Sequence, residues 1–92
     1  MLKPRYTGQF KKDIKKLKKS GDKDMEKLKV VVRELIDGKP LAGRYPDHAL
    51  FGDKKGHRDC HIGPDWLLIY LLDSENQGTT FVRTGSHSEL FG

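Results

Sequence analysis

One cysteine in 92 residues cannot close an internal disulfide, so a reducing, cytosolic setting is expected. Long apolar runs are missing as well. The longest, "WLLIYLL" at 66–72, falls far short of the roughly 20 residues that span a bilayer, and no membrane partner is expected. The first residues, "MLKPRYTGQF", contain no apolar h-region, so no secretory leader is expected. Neither C-x-x-C nor H-E-x-x-H occurs, which removes the common zinc patterns. Repeats are lacking, and the length leaves room for one hydrophobic core, so residues 1–92 are expected to form a single domain.

What is present is charge, unevenly spread. Hydrophobic residues make up 35% and charged residues 34%, the balance of a soluble globular chain, with a net charge of +5. Residues 1–39 hold thirteen Lys or Arg against six Asp or Glu, a net of +7; residues 40–92 hold five against seven, a net of −2. The four histidines, His48, His57, His61 and His87, all belong to the second part. A basic front implies a polyanion or an acidic protein as partner.

After a short extended start at Arg5 and Tyr6, Thr7 is suited to cap a helix. Phe10, Ile14 and Leu17 share one helical face, while Lys11, Lys12, Lys15, Lys16, Lys18 and Lys19 cover the others. Gly21 suits the left-handed position that ends such a helix. A second helix is predicted over 23–37, with Asp22, Asp24 and Glu26 near its N-terminus. Its buried stripe is Met25, Leu28, Val32 and Leu35, widened by Val31 and Ile36. Residues 40–55 have no sustained period and read as a long loop. "HRDCHI" and "WLLIYLL" read as strands joined by the turn "GPD", and "TTFVR" at 79–83 as a third strand reached through "DSENQG". Ser86-x-x-Glu89 is a capping box for one last helical turn. The fold class is α+β: two N-terminal helices packed on a small twisted antiparallel sheet, with a short C-terminal helical turn.

The stretch "GHRDCHIGPDW" at 56–66 allows a metal site, an acid–base site or a merely polar hairpin. A metal reading fails on spacing. On a strand, His57 and His61 would share a face about 13 Å apart, too far for one ion. Cys60 falls on the opposite face and reads as a small core residue rather than a nucleophile. Acid–base chemistry remains: the turn brings His61 to Asp65 and Trp66, His87 follows the third strand, and His48 precedes the sheet. Arg83 could stabilise developing negative charge. The plain alternative is a set of unrelated surface histidines. Cleaving RNA through its own 2′-hydroxyl needs a base, an acid and a cation, and no metal. The lysine face would hold a phosphate backbone without sequence preference; its plain alternative is a solvated helix surface.

"DHALFG" at 47–52, "HRDCHIGPDWLLIY" at 57–70 and "RTGSHSELFG" at 83–92 resemble the YafQ branch of the RelE/ParE toxin superfamily, across nearly the whole chain. The resemblance implies a RelE-like fold and the toxin half of a bacterial toxin–antitoxin module. The activity implied is a ribosome-dependent endoribonuclease that cuts mRNA and arrests translation. The partners implied are an acidic antitoxin, the ribosome and mRNA; no cofactor or metal is implied. His48, His61 and His87 match the family's active-site histidines, Asp65 its acidic residue, Trp66 the tryptophan after it, Phe91 the C-terminal aromatic and Arg83 the superfamily's strand arginine. On this reading His61 or Asp65 takes the 2′-hydroxyl proton and His87 protonates the leaving 5′-oxygen, while His48 and Arg83 stabilise the phosphorane. Phe91 could stack on a base. Trp66 could stack too, although its size and its place at a strand start favour packing. Competing readings are a gyrase poison of the ParE kind and a non-catalytic nucleic-acid-binding or co-repressor module.

Overall fold

A computed structural model describes residues 3–21, 23–37, 47–49, 57–73 and 78–91, with 47–49, 72 and 73 described by their backbone alone. In chain order the elements are β1 (Lys3–Tyr6), α1 (Gly8–Ser20), α2 (Met25–Ile36), β2 (Asp47–Ala49), β3 (His57–Gly63), β4 (Trp66–Asp73), β5 (Gly78–Gly85) and α3 (His87–Phe91). The first helix starts and stops as its end residues dictate. The Thr7 hydroxyl accepts the Phe10 N–H, and Gly21, at φ 72°, donates its N–H to the Leu17 carbonyl. Asp24 caps the second helix through the Glu26 N–H.

The strands form one sheet in the order β1-β5-β4-β3-β2. From β2 to β5 the pairing is antiparallel, as expected, but β1 joins the edge parallel to β5, Lys3 opposite Gly78 and Tyr6 opposite Phe81. The sheet is therefore mixed. A second departure is β2, a three-residue strand inside the segment read as loop; it was too short to show a period. The remainder of 40–55, and residues 74–77 of the segment expected to turn, lie outside the described residues.

The alternation of β4 divides the core. Trp66, Leu68 and Tyr70 pack with Cys60, Ile62 and Phe81 against Phe10 and Leu17 of α1 and Leu28, Val31 and Leu35 of α2. Leu28 and Leu35 are buried as expected; between them Val31, fully buried, holds the centre of the α2 stripe, and Val32 packs at its margin. On the other face Leu67 and Ile69 pack with Leu90 and the partly buried Val82. Cys60 is a buried core residue, as its spacing implied.

A bulge in β5 sets where its last residues point. Ile69 pairs with Arg83 and Tyr70 with Phe81, so Val82 is the extra residue. Strict alternation from Phe81 would turn Arg83 into the helix-side core. The bulge instead puts Thr84, opposite Leu68, on that side. There it accepts the Trp66 indole N–H at 2.9 Å and donates to the Leu67 carbonyl at 2.8 Å.

Candidate active site

The thin face of the sheet carries the histidines. His61 pairs with Leu67 and so shares its face with the residues under α3. The capping box predicted at the C-terminus forms in both directions: Ser86 Oγ accepts the Glu89 N–H at 3.2 Å and Glu89 Oε1 accepts the Ser86 N–H at 3.1 Å. Leu90 anchors this turn on Leu67 and Ile69. Lys16 of α1 reaches Glu89 at 2.6 Å and, with the Ser86 contacts, holds that carboxyl down to about 2.

Asp65, in the β3–β4 turn, fixes His87. One oxygen, Oδ1, accepts the His87 backbone N–H at 3.0 Å and lies 2.7 Å from its Nδ1. These two contacts, the backbone one first, lower the Asp65 carboxyl below its ordinary value. An ionised carboxylate can only accept, so Nδ1 carries a proton and Nε2 is the nitrogen left for chemistry. The His61 ring stands 5.7 Å from the His87 ring, centroid to centroid, inclined by 50°. The two imidazoles thus lie in tilted ring-to-ring contact, one of them oriented by a carboxylate. Both His87 and Asp65 are exposed at this surface.

Other expected site residues fare differently. Arg83 does not present its guanidinium to this pair of rings. It makes two bonds to the buried Asp13 carboxylate, Nε–Oδ2 3.2 Å and Nη2–Oδ1 3.1 Å, with Nη1 3.5 Å from the Glu89 carbonyl. Asp13 lowers the energy of the charged form and raises the Arg83 pKa. Trp66 is 3% exposed and its polar edge is spent on Thr84, so it packs as a core residue. Phe91 is exposed and remains open to contact. His48 lies on β2 opposite Asp59 in register. Lys11, Lys12, Lys15, Lys18 and Lys19 are exposed on α1, whereas Lys16 is engaged by Glu89.

Two acids were missed. Asp13 is buried and also accepts the Thr84 N–H at 3.2 Å, tying α1 to β5. It follows Phe10 by three and precedes Leu17 by four, on the apolar face of a lysine-rich helix, and that spacing was the available signal. Asp59 is buried, its Oδ1 without a hydrogen-bond partner among the described residues, between His48 and Ile69 in register. Among the described residues no three His, Cys, Asp or Glu side chains gather as a metal site. Nor, among them, is any helix long and apolar enough to cross a membrane.

The family described as the bacterial toxin of type II toxin-antitoxin system, YafQ, matches residues 2–92. A relative from Escherichia coli K12, named mRNA interferase toxin YafQ, is 48% identical over 88 residues, covering 95% of this chain and 92% of its own. The crystal structure of YafQ from E. coli BL21(DE3) superposes with a TM-score of 0.92 at 44% identity over the whole of both chains. The E. coli DinJ–YafQ toxin–antitoxin complex matches with a TM-score of 0.90 at 46% identity, covering 99% of this chain and 98% of that one. A metal-bound toxin from Helicobacter pylori matches at 0.91 and 43%, covering 99% and 100%.

Proposed function

The chain belongs to the YafQ family of toxins from bacterial type II toxin–antitoxin systems, and on that premise we propose how it works as an mRNA interferase, held in check by an antitoxin. It cuts mRNA on the ribosome, in the cytoplasm, by metal-independent attack of the RNA 2′-hydroxyl on the neighbouring phosphate. The observation that carries this reading is the His61–His87 pair, with Asp65 on His87 Nδ1.

The roles follow from the contacts. Asp65 is held below its ordinary carboxyl pKa and is committed through Oδ1 to His87, which makes it a poor base and a good orienter. That leaves His61 to take the 2′-hydroxyl proton. His87, with Nδ1–H directed at Asp65, delivers the proton on Nε2 to the leaving 5′-oxygen. His48 remains a candidate on the neighbouring strand β2, and Phe91 a surface for a base. With Arg83 bound by Asp13, its part is to fix α1 against β5 beside the site rather than to meet the phosphate directly. The exposed lysines of α1 supply non-specific attraction to RNA.

The test is to add the protein to translating ribosomes and map mRNA ends. Cuts on ribosome-bound mRNA with little cutting of free RNA support the reading, and a 2′-deoxyribose at the cut site should block them. Intact mRNA accompanied by gyrase-linked DNA breaks would favour the ParE-like alternative. Chelation of added metals should leave cutting in place as long as the ribosomes stay intact; loss restored specifically by a transition metal would end the metal-free mechanism.

A further inference from the structure

Charge builds on a phosphate as the 2′-oxygen attacks, and a site of this kind needs a cation where that charge grows. Arg83 is taken by Asp13. The geometry points to Lys23, in the bend between α1 and α2, as the cation that contacts the scissile phosphate; this rests on the mRNA-cleaving reading above.

Lys23 borders two clefts. One, of about 260 Å³, lies between Lys23, Asp24 and Lys27 on one side and Gly63, Pro64 and Trp66 on the other. The other, of about 230 Å³, lies between Lys16, Ser20 and Lys23 on one side and Ser86 and Glu89 on the other. The first borders the turn that carries Asp65, and the second borders the residues that bracket His87. Lys23 is the residue shared by both, beside the Asp65–His87 pair, and its charge is felt at the Asp65 carboxylate. Its ammonium stands 6.0 Å from the centre of the Trp66 ring, so its stem lies along the seam between helix and sheet.

The nearby acids have other partners. Glu89 is bound by Lys16, Asp65 by His87, and Asp24 accepts the Glu26 N–H as the α2 cap. Among the described residues Lys23 forms no ion pair, so its charge is available to an anion from outside. Lys27, which lines the first cleft with it, adds to the same positive field. A phosphodiester lying from one cleft to the other would place a non-bridging oxygen at the Lys23 ammonium.

The experiment compares wild type, Lys23→Met and Lys23→Arg on translating ribosomes. Met keeps the stem over Trp66 and removes the charge, so a purely structural role would survive it. Cutting by the wild type tests the functional reading; within that assay Lys23 stands or falls separately. Lys23→Met should stay folded and bind antitoxin normally. Its kcat should drop by about 10²–10³, the usual loss for one donor to a developing anion, with the half-saturating ribosome concentration changed less than twofold. Lys23→Arg should regain at least tenfold. Three results would overturn the assignment: an unchanged kcat in Lys23→Met, a loss confined to ribosome affinity, or an Arg variant as slow as Met.

Discussion

On one face of the sheet, Trp66, Leu68, Tyr70 and Phe81 meet the inner sides of two helices; on the other, Leu67, Ile69 and Val82 meet Leu90 of a five-residue helix. The thick face excludes water, and there Thr84 accepts the buried Trp66 indole N–H. The thin face has room for His61, Asp59 and His87, and leaves His87 and its carboxylate partner open to a substrate. On the proposed mechanism, stability and chemistry fall on opposite sides of the same strands. The alternation of side chains along β3 and β4 makes that possible, because neighbouring residues in sequence can serve different purposes.

Removing His87 is the sharpest test of that division. His87→Ala should lose about 10²–10⁴-fold in cleavage rate, yet keep its melting temperature and antitoxin binding, because its side chain lies outside both cores. A folded His87→Ala protein that still cuts would remove the acid from the mechanism; one that fails to fold would break the contrast between faces. Asp65→Asn should lose less, since it disturbs the orientation of the imidazole and leaves the imidazole itself.

Core truncations probe the other side. Phe81→Ala, fully buried between Phe10 and Tyr6, should cost about 3–5 kcal/mol in urea unfolding. Leu90→Ala should cost about 2 kcal/mol, the low end for a leucine, because α3 can shift to close the gap. Equal costs would mean the thin face is as much a core as the thick one.

Smaller effects belong to the surface. Replacing Lys11, Lys15 and Lys18 by Ala should weaken ribosome binding and flatten its salt dependence by up to about one unit of log–log slope per lysine, with folding intact. Antitoxin association should likewise slow with added salt. An affinity unmoved by salt or by the triple substitution would reduce α1 to a solvated helix.

The smallest effect is a pH dependence. Glu89 has its carboxyl lowered from 4.5 to about 2 in the folded chain, chiefly by Lys16. Its contribution is therefore complete above about 4.5 and is lost as pH falls toward 2. Thermal unfolding followed over that window should show a slope that Glu89→Gln reduces. The exposure of both partners keeps the effect small.

Local signals in the chain were enough for much of this. Thr7, Gly21, Ser86 and Glu89 act through bonds within four residues of themselves, so the helix ends were legible. The strands β3 and β4 and the turn between them were legible because strand-like composition on both sides flanks Gly63, Pro64 and Asp65. The gathering of His61, Asp65 and His87 was legible in outline, since a tight turn brings the first two close and the resemblance supplied the third. β1 and β2 were read as an extended start and a loop, for at four and three residues a strand has no period to detect.

By itself the sequence determined the elements with local causes, the apolar stripe of α1, the basic front and the histidine-rich back. Tertiary structure decided what each polar group does. Whether Arg83 meets a phosphate or Asp13 depends on a bulge at Val82 and on a helix about seventy positions away in the chain. The packing of Trp66 into the core rests on Thr84 across the sheet, which accepts its indole N–H. Whether Asp65 is a base or an orienter depends on the docking of α3, which brings the His87 N–H and Nδ1 to a single oxygen. Side-chain charge and hydrogen-bonding capacity are written in the residue, but the partner that spends them is chosen by long-range packing, and no local pattern encodes that choice.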